Sequence, residues 1–259
     1  MDLGLSGRRA IVTGGSKGIG FAIAETLLSD GASVAICSRH PDELEVAAQR
    51  LRQRGKVFAR VCDVTRPDQI QEFIGAAVEF MGGLEVLVNN AGRAHPGTFA
   101  TLTDQDFRDD LDVKLFSQIR CSRVALPHLR TAGDGVIINI NAIYGRQPDP
   151  GFFATSVDRA ACLALSKAQA MELGPDGIRV NSVNIGFVRT PQWENIHQRR
   201  APELPESEFL ARTVAGEVPL GRFGEPEEVA GLVAFLAGPR ASYITGASID
   251  VAGGMGRYV

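Results

Sequence analysis

Three glycines, Gly14, Gly18 and Gly20, fall within Thr13-Gly14-Gly15-Ser16-Lys17-Gly18-Ile19-Gly20, between a β-branched run and a longer amphipathic one. Without Cβ atoms the backbone turns tightly and approaches a phosphate closely, and the helix that follows aims its free N–H groups at the anion. This spacing serves the binding of a dinucleotide pyrophosphate, with Ser16, Lys17 and Ile19 completing the turn. A second feature lies where the next β-branched run ends, at Ser38-Arg39. Sites for an unphosphorylated ribose place a carboxylate there, whereas this chain has Arg39, with Lys17 nearby in the glycine turn. Two cations at that point suit a ribose 2′-phosphate, so the pattern favours NADP(H) over NAD(H).

Such residues need strands whose ends converge. Short β-branched runs predict strands over 9–13, 33–38, 56–62, 84–89, 135–141, 179–185 and 247–251. Amphipathic runs predict helices over 18–30, 41–54, 67–81, 103–129, 152–173 and 226–236. Pro41 and Pro67 suit first helical positions and Thr103 suits an N-cap. Alternation of this kind, with right-handed crossovers, gives an α/β fold: one doubly wound, seven-stranded parallel sheet with helices on both faces. The 259 residues form a single domain, 1–259, and the proline-rich stretch 187–221 reads as an irregular, lid-like excursion over the ligand crevice.

Bulk properties narrow the function classes. A net charge of −3 argues against nucleic acid as a partner, and no apolar run is long enough for a membrane span. Met1-Asp2-Leu3-Gly4-Leu5-Ser6-Gly7 lacks the apolar core of a signal peptide. Cys37, Cys62, Cys121 and Cys162 form no C-x-x-C pair, so they read as buried small residues in a reducing, cytoplasmic setting, with no metal site.

Further motifs follow the glycine turn: Asp63-Val64, Asn89-Asn90-Ala91-Gly92, Pro219-Leu220-Gly221-Arg222-Phe223-Gly224-Glu225-Pro226 and Tyr243-Ile244-Thr245-Gly246. With them the whole chain resembles the short-chain dehydrogenase/reductase family. The resemblance implies that Asp63 bonds the adenine edge, with Val64 beside it, and that Asn90 braces the central strand, with Ala91 and Gly92 near the cofactor. It also implies that Gly186, Val188 and Thr190 line the nicotinamide end. Two departures stand out: Ile185-Gly186 replaces a usual Pro-Gly, and Ala252-Gly253-Gly254 replaces Asp-Gly-Gly. Family members assemble through the two long helices, here 103–129 and 152–173, which implies a homo-tetramer or homo-dimer.

The resemblance also exposes a gap. The family uses a Tyr general acid, a Lys four residues later, an upstream Ser that polarises a carbonyl, and an Asn on an earlier helix. Alignment on the flanking residues puts Thr155 at the Tyr position, Arg159 at the Lys position, Ala142 at the Ser position and Lys114 at the Asn position. Threonine has no acidic proton near neutrality, alanine cannot hydrogen-bond, and arginine cannot release a proton, though Arg159 retains the charge that holds a ribose.

Replacement groups are few. Tyr144 offers a phenol or packs against the lid; Asn141 offers a donor or bonds its own turn. Asp158 offers a base or pairs with Arg159, the pair being the expected role; His95 and His197 are loop acid/base candidates or surface residues. Lys114 and Arg159 together make a cationic pocket floor, suited to a carboxylate or an enolate. The expected activity is an NADP(H)-binding oxidoreductase with a non-standard acid/base, acting on a small anionic or hydrophobic molecule. The alternatives are a lyase, isomerase or cyclase on the same fold, or a non-catalytic subunit.

Overall fold

Strand order β3-β2-β1-β4-β5-β6-β7 defines one parallel sheet in the computed structural model, which describes residues 2–258. The strands are β1 (Arg9–Thr13), β2 (Ser33–Ser38), β3 (Val57–Val61), β4 (Val86–Asn89), β5 (Val136–Ala142), β6 (Arg179–Ile185) and β7 (Ser248–Val251). Helices α1 (Gly18–Ser29), α2 (Pro41–Arg52) and α3 (Pro67–Met81) link the first strands. Helices α4 (Asp104–Leu111) and α5 (Ser117–Ala132) precede β5, and α6 (Phe153–Leu173) precedes β6. Helices α7 (Pro191–Arg200), α8 (Glu206–Val214) and α9 (Pro226–Ala237) lie between β6 and β7. No helix of the described residues is long and apolar enough to cross a membrane.

Side chains alternate across each strand, and both faces are covered, so the central strands are apolar throughout. Ala10 and Val12 of β1 pack with Ile23, Leu27 and Val233 from α1 and α9, while Ile11 packs with Phe73, Ile74 and Leu129 from α3 and α5. The expected doubly wound sheet is therefore present, and its strands lie within about two residues of their predicted bounds. All four cysteines are free and buried.

Strand order reverses beside β1, where β4 succeeds it on the other side, and this switch point opens a crevice at the strand ends. Asn90 fixes its geometry. Its Nδ2 donates to the carbonyls of Thr13 (2.9 Å) and Gly14 (3.1 Å). Thr13 Oγ1 in turn accepts from the N–H groups of Asn90 (3.0 Å) and Ala91 (3.1 Å).

One expectation is refined and one corrected. The predicted helix 103–129 is present as a continuous helical stretch over 104–132, with a π-helical turn, Asp112–Phe116, inserted between α4 and α5. The stretch 187–221 is not irregular, because α7 and α8 occupy most of it and cover the apolar cluster of Ile143, Phe209, Val218 and Phe223. Thr103 does cap α4, in a reciprocal capping box with Asp106.

The glycine turn leaves no room for a side chain at Gly20, where a Cβ would lie 2.2 Å from the Gly14 carbonyl oxygen and 2.4 Å from Asn90 Nδ2. Gly20→Ala is therefore expected to lower unfolding free energy by roughly 1–3 kcal/mol. Urea denaturation checks this, and an unchanged midpoint contradicts it.

Candidate active site

A cleft of about 1070 Å³ runs across the ends of the strands and carries the glycine turn at one end and α7 at the other. Gly14, Ser16, Lys17, Gly18, Ile19 and Gly20 form its first wall, with Arg39, Asp63 and Val64 beyond the ends of β2 and β3. Asn90, Ala91 and Gly92 form the middle, and Gly186, Val188 and Thr190 close the far side. Lys114, Ala142, Tyr144, Thr155 and Arg159 line the same space.

The glycine end is shaped for an anion. Gly14 and Gly18 take φ of +67° and +54°, which L side chains rarely adopt. Lys17 stands at the N-cap of α1 without a side-chain cap, and the first turn of α1 holds no carboxylate, so its N–H groups are left to a ligand. Lys17 is less available than its position suggests: its Nζ sits 3.0 Å from Glu43, and both are well exposed. Arg39 makes no ion pair among the described residues. Asp63 Oδ1 accepts from the N–H (2.9 Å) and hydroxyl (2.8 Å) of Thr65, which orients the carboxylate beside the cleft.

The floor is a buried polar cluster. The π-helical turn adds a residue to the ladder and turns Lys114 inward, fully buried. The Lys114 carbonyl there accepts the Cys162 thiol at 3.7 Å. Lys114 Nζ donates to Asp110 Oδ2, one turn earlier, and to Thr155 Oγ1 at 2.8 Å. Burial first, then Arg159, pull the lysine down to about 8, against the opposing pull of Asp110.

Arg159 lies under the Asn89-Asn90-Ala91-Gly92 loop. Its Nη1 donates to the Ile140 carbonyl at 3.0 Å, a Cβ on Gly92 would meet its Nη2 at 3.2 Å, and its buried Nε has no partner. Asp158 is fully buried, and neither of its oxygens has a donor. Burial, then the adjoining Asp110 carboxyl, push Asp158 up to about 7. His95 reaches this cluster from the loop above, with Nε2 3.4 Å from Asp106 Oδ1 and Nδ1 3.6 Å from Asp110 Oδ1.

Several expected roles change. Lys114 and Arg159 are not a bare cationic floor, because Asp110 compensates the lysine. Asp158 makes no ion pair with Arg159; it faces Asp110 instead. Asn141 lies outside the cleft, fully buried, donating to the Arg159 carbonyl (3.3 Å) and Ser182 Oγ (3.4 Å), so it is a core residue. Tyr144 stacks on Phe152 at 5.2 Å, and burial holds its phenol above the usual tyrosine value. His197 is buried away from the cleft, with Nε2 donating to the Leu204 carbonyl at 2.8 Å. The sequence reading missed Asp110 and Asp106, although Asp106, Asp110 and Lys114 recur every four residues, on one helix face.

A family model described as enoyl-(acyl carrier protein) reductase matches residues 14–256. The short chain oxidoreductase of Pseudomonas aeruginosa PAO1, described as containing an atypical catalytic center, is 41% identical over 99% of this chain and 100% of its own, with TM-score 0.93. Its NADPH-bound form is 40% identical, with 99% of each chain covered and TM-score 0.92. L-sorbose reductase of Gluconobacter frateurii, solved with NADPH and L-sorbose, is 32% identical over the full length of both chains, with TM-score 0.95. Oxidoreductase UcpA of Escherichia coli K12 is 36% identical over 252 residues, 96% of this chain and 95% of its own.

The raised Asp158 has a sign that can be checked. Its folded value of about 7 exceeds the unfolded one, so the native state keeps a proton that the unfolded chain releases. Stability should fall as pH rises from about 4 to 7, on the order of 2 kcal/mol more than in Asp158→Asn. Urea denaturation at both pH values measures the difference, and parallel pH dependence in the two proteins would sink this assignment.

Proposed function

The chain belongs to the short-chain dehydrogenase/reductase family, and on that premise we propose that it is an NADP(H)-dependent oxidoreductase in which Lys114 and Thr155 handle the proton. The observation that carries this reading is one continuous cleft, with the glycine turn and Arg39 at one end and the 2.8 Å Lys114–Thr155 contact in its floor. The NADPH-bound relatives support the cofactor, and the P. aeruginosa relative, with its atypical catalytic center, supports a non-standard acid/base.

The residues fit the dinucleotide. The uncapped start of α1 and the Gly14–Gly20 turn suit the pyrophosphate, Arg39 the 2′-phosphate and Asp63 the adenine edge. The Arg159 guanidinium, with Nη2 beside Gly92 and Nε unpartnered, suits a ribose hydroxyl. When bound, the dinucleotide supplies a hydride to a substrate carbonyl carbon, or takes one in the reverse direction.

The protein's part is the proton. Lys114 donates a hydrogen bond to Thr155 Oγ1 at 2.8 Å, and the threonine hydrogen, which reaches Asp110 Oδ2 only at 3.5 Å, turns from that long contact to a substrate oxygen in the cleft. As negative charge develops on the substrate oxygen, that hydrogen passes to it and a Lys114 proton replaces it on Oγ1. The alcohol gains one proton and Lys114 is left as a neutral amine. An ammonium titrating near 8 suits this task close to neutral pH, where a free threonine hydroxyl does not. Arg159 remains charged throughout and favours release from its neighbour.

The substrate end supports an apolar or aromatic body with an anionic group. Tyr144, Phe152, Phe187 and Trp193 line it, and Arg199 and Arg200 project from α7 at its rim. Copies are proposed to pair through α5 and α6, near which Phe116, Val157 and Met171 leave apolar side chains exposed.

Arg39→Ala should weaken NADPH binding about tenfold and leave NADH binding unchanged. Lys114→Met should lower the rate of carbonyl reduction roughly 10²–10³-fold with little effect on NADPH binding. Fluorescence titration and a panel of aryl and alkyl keto acids measure the two. Absence of NADPH binding at millimolar concentration would overturn the redox reading in favour of cofactor-free chemistry.

A further inference from the structure

The proton that leaves Lys114 has to be replaced, and the lysine has no exposed surface of its own. The residues packed behind it are unusual in what they lack. Asp110 Oδ2 is committed to Lys114, yet Asp110 Oδ1 is buried without a donor. Both oxygens of Asp158 are in the same condition, and the two carboxyl groups are neighbours. Two adjacent carboxyls sealed from water and from other donors cannot both be ionised without large cost; one retained proton gives each a partner. His95 completes the line. Its Nδ1 lies 3.6 Å from the orphan Asp110 Oδ1 and is itself without a partner, while its Nε2 lies 3.4 Å from Asp106, which is partly exposed. The groups facing the pair are Lys114 and His95, Arg159 next in sequence to Asp158, the Thr155 hydroxyl and, one turn further along α6, the Cys162 thiol.

Resting on the reductase reading, we propose that Asp110 and Asp158 share one buried proton and, with His95, form an inlet that recharges Lys114 from solvent. The neutral amine takes the proton from the carboxyl pair. The imidazolium of His95 then returns one to the pair through Nδ1, which leaves the Nε2–H tautomer, and a flip of the ring presents the bare nitrogen to water beside Asp106, which restores the imidazolium. One proton enters for each one delivered to the substrate oxygen, and no electrons move along the line. His95, Asp110 and Asp158 act through Lys114 and do not touch the substrate.

The test is spectroscopic and uses the full chain, with and without NADPH. Infrared spectra in D₂O should show a protonated-carboxyl stretch at pH 6 that disappears as pH rises through 7, is absent in Asp158→Asn and persists in Thr155→Val. Because the chain has only four lysines, Lys17, Lys56, Lys114 and Lys167, ¹⁵N-lysine NMR can follow the Lys114 ammonium hydrogens directly. Their exchange with water should slow about tenfold in His95→Ala and recover with added imidazole, a rescue that a merely structural role would not give. Absence of the carboxyl band, its survival in Asp158→Asn, or exchange indifferent to His95 and imidazole overturns the inlet. NADPH titration of the same samples keeps the two ideas apart. Binding without the band removes the inlet alone, and the band without binding removes the reductase reading while leaving the shared proton.

Discussion

A lysine ammonium sealed from water must find its compensating charge within the fold, and the floor of the cleft is organised by that need. Lys114 obtains it from Asp110, its neighbour one turn back. A second carboxyl, Asp158, lies against Asp110, and burial together with that neighbour pushes Asp158 up to about 7. The Lys114–Asp110 contact requires the backbone to present Lys114 inward, which the π-helical turn Asp112–Phe116 does. The carbonyl of Lys114 is not abandoned there, since the Cys162 thiol meets it. A buried pair of this kind adds little net stability, because desolvation offsets most of the attraction, and an apolar residue would pack as well. Its presence at a ligand cleft is better explained by chemistry than by folding.

The sheet makes that chemistry possible by where it divides. Parallel strands end on one side, and the reversal of order beside β1 leaves a gap that no crossover helix fills. Asn90 spans this gap with both amide hydrogens committed to backbone carbonyls, so the glycine turn and the loop over Arg159 move as one piece. The same loop reaches His95 a few residues later, where it meets Asp106 and Asp110 on α4. The glycine turn is thereby tied to this loop by the Asn90 hydrogen bonds, and the loop approaches the floor of the cleft where His95 lies 3.4 Å from Asp106 and 3.6 Å from Asp110.

Most of the sheet was legible because its cause is local: β-branched runs, buried on both faces, have no other stable arrangement between amphipathic helices. The π-helical turn between α4 and α5 was not, since nothing in the hydrophobic period of Asp112-Val113-Lys114-Leu115-Phe116 marks an inserted residue. Helices α7 and α8 were missed through the weight given to their prolines. Pro191 after Thr190 is a helix start and not a breaker, the same signal that located α2 and α3. At the site, the glycine turn, Arg39 and Asp63 were legible as residues that would share one wall of the cleft, because their places at the strand ends follow from the fold. The acid/base groups were legible only as identities. That Asn141 is core, that His197 bonds the Leu204 carbonyl and that Asp158 turns to Asp110 depend on burial and orientation, which a string of letters does not carry.

On the proposed chemistry, the contacts around Thr155 account for the expected departures from the family pattern as one set. A phenol that gives up its proton needs a cation beside it to stabilise the anion left behind. A threonine hydroxyl is too weak an acid for that arrangement and needs the proton source itself at hydrogen-bond distance. Lys114 stands at 2.8 Å from Thr155 Oγ1 and fills that requirement. The cation at 159 then has a different task. A second lysine there would compete for the same proton, whereas a guanidinium stays charged at any working pH and pulls Lys114 toward release. On the proposed chemistry the threonine, the buried lysine and the arginine therefore work only as a set.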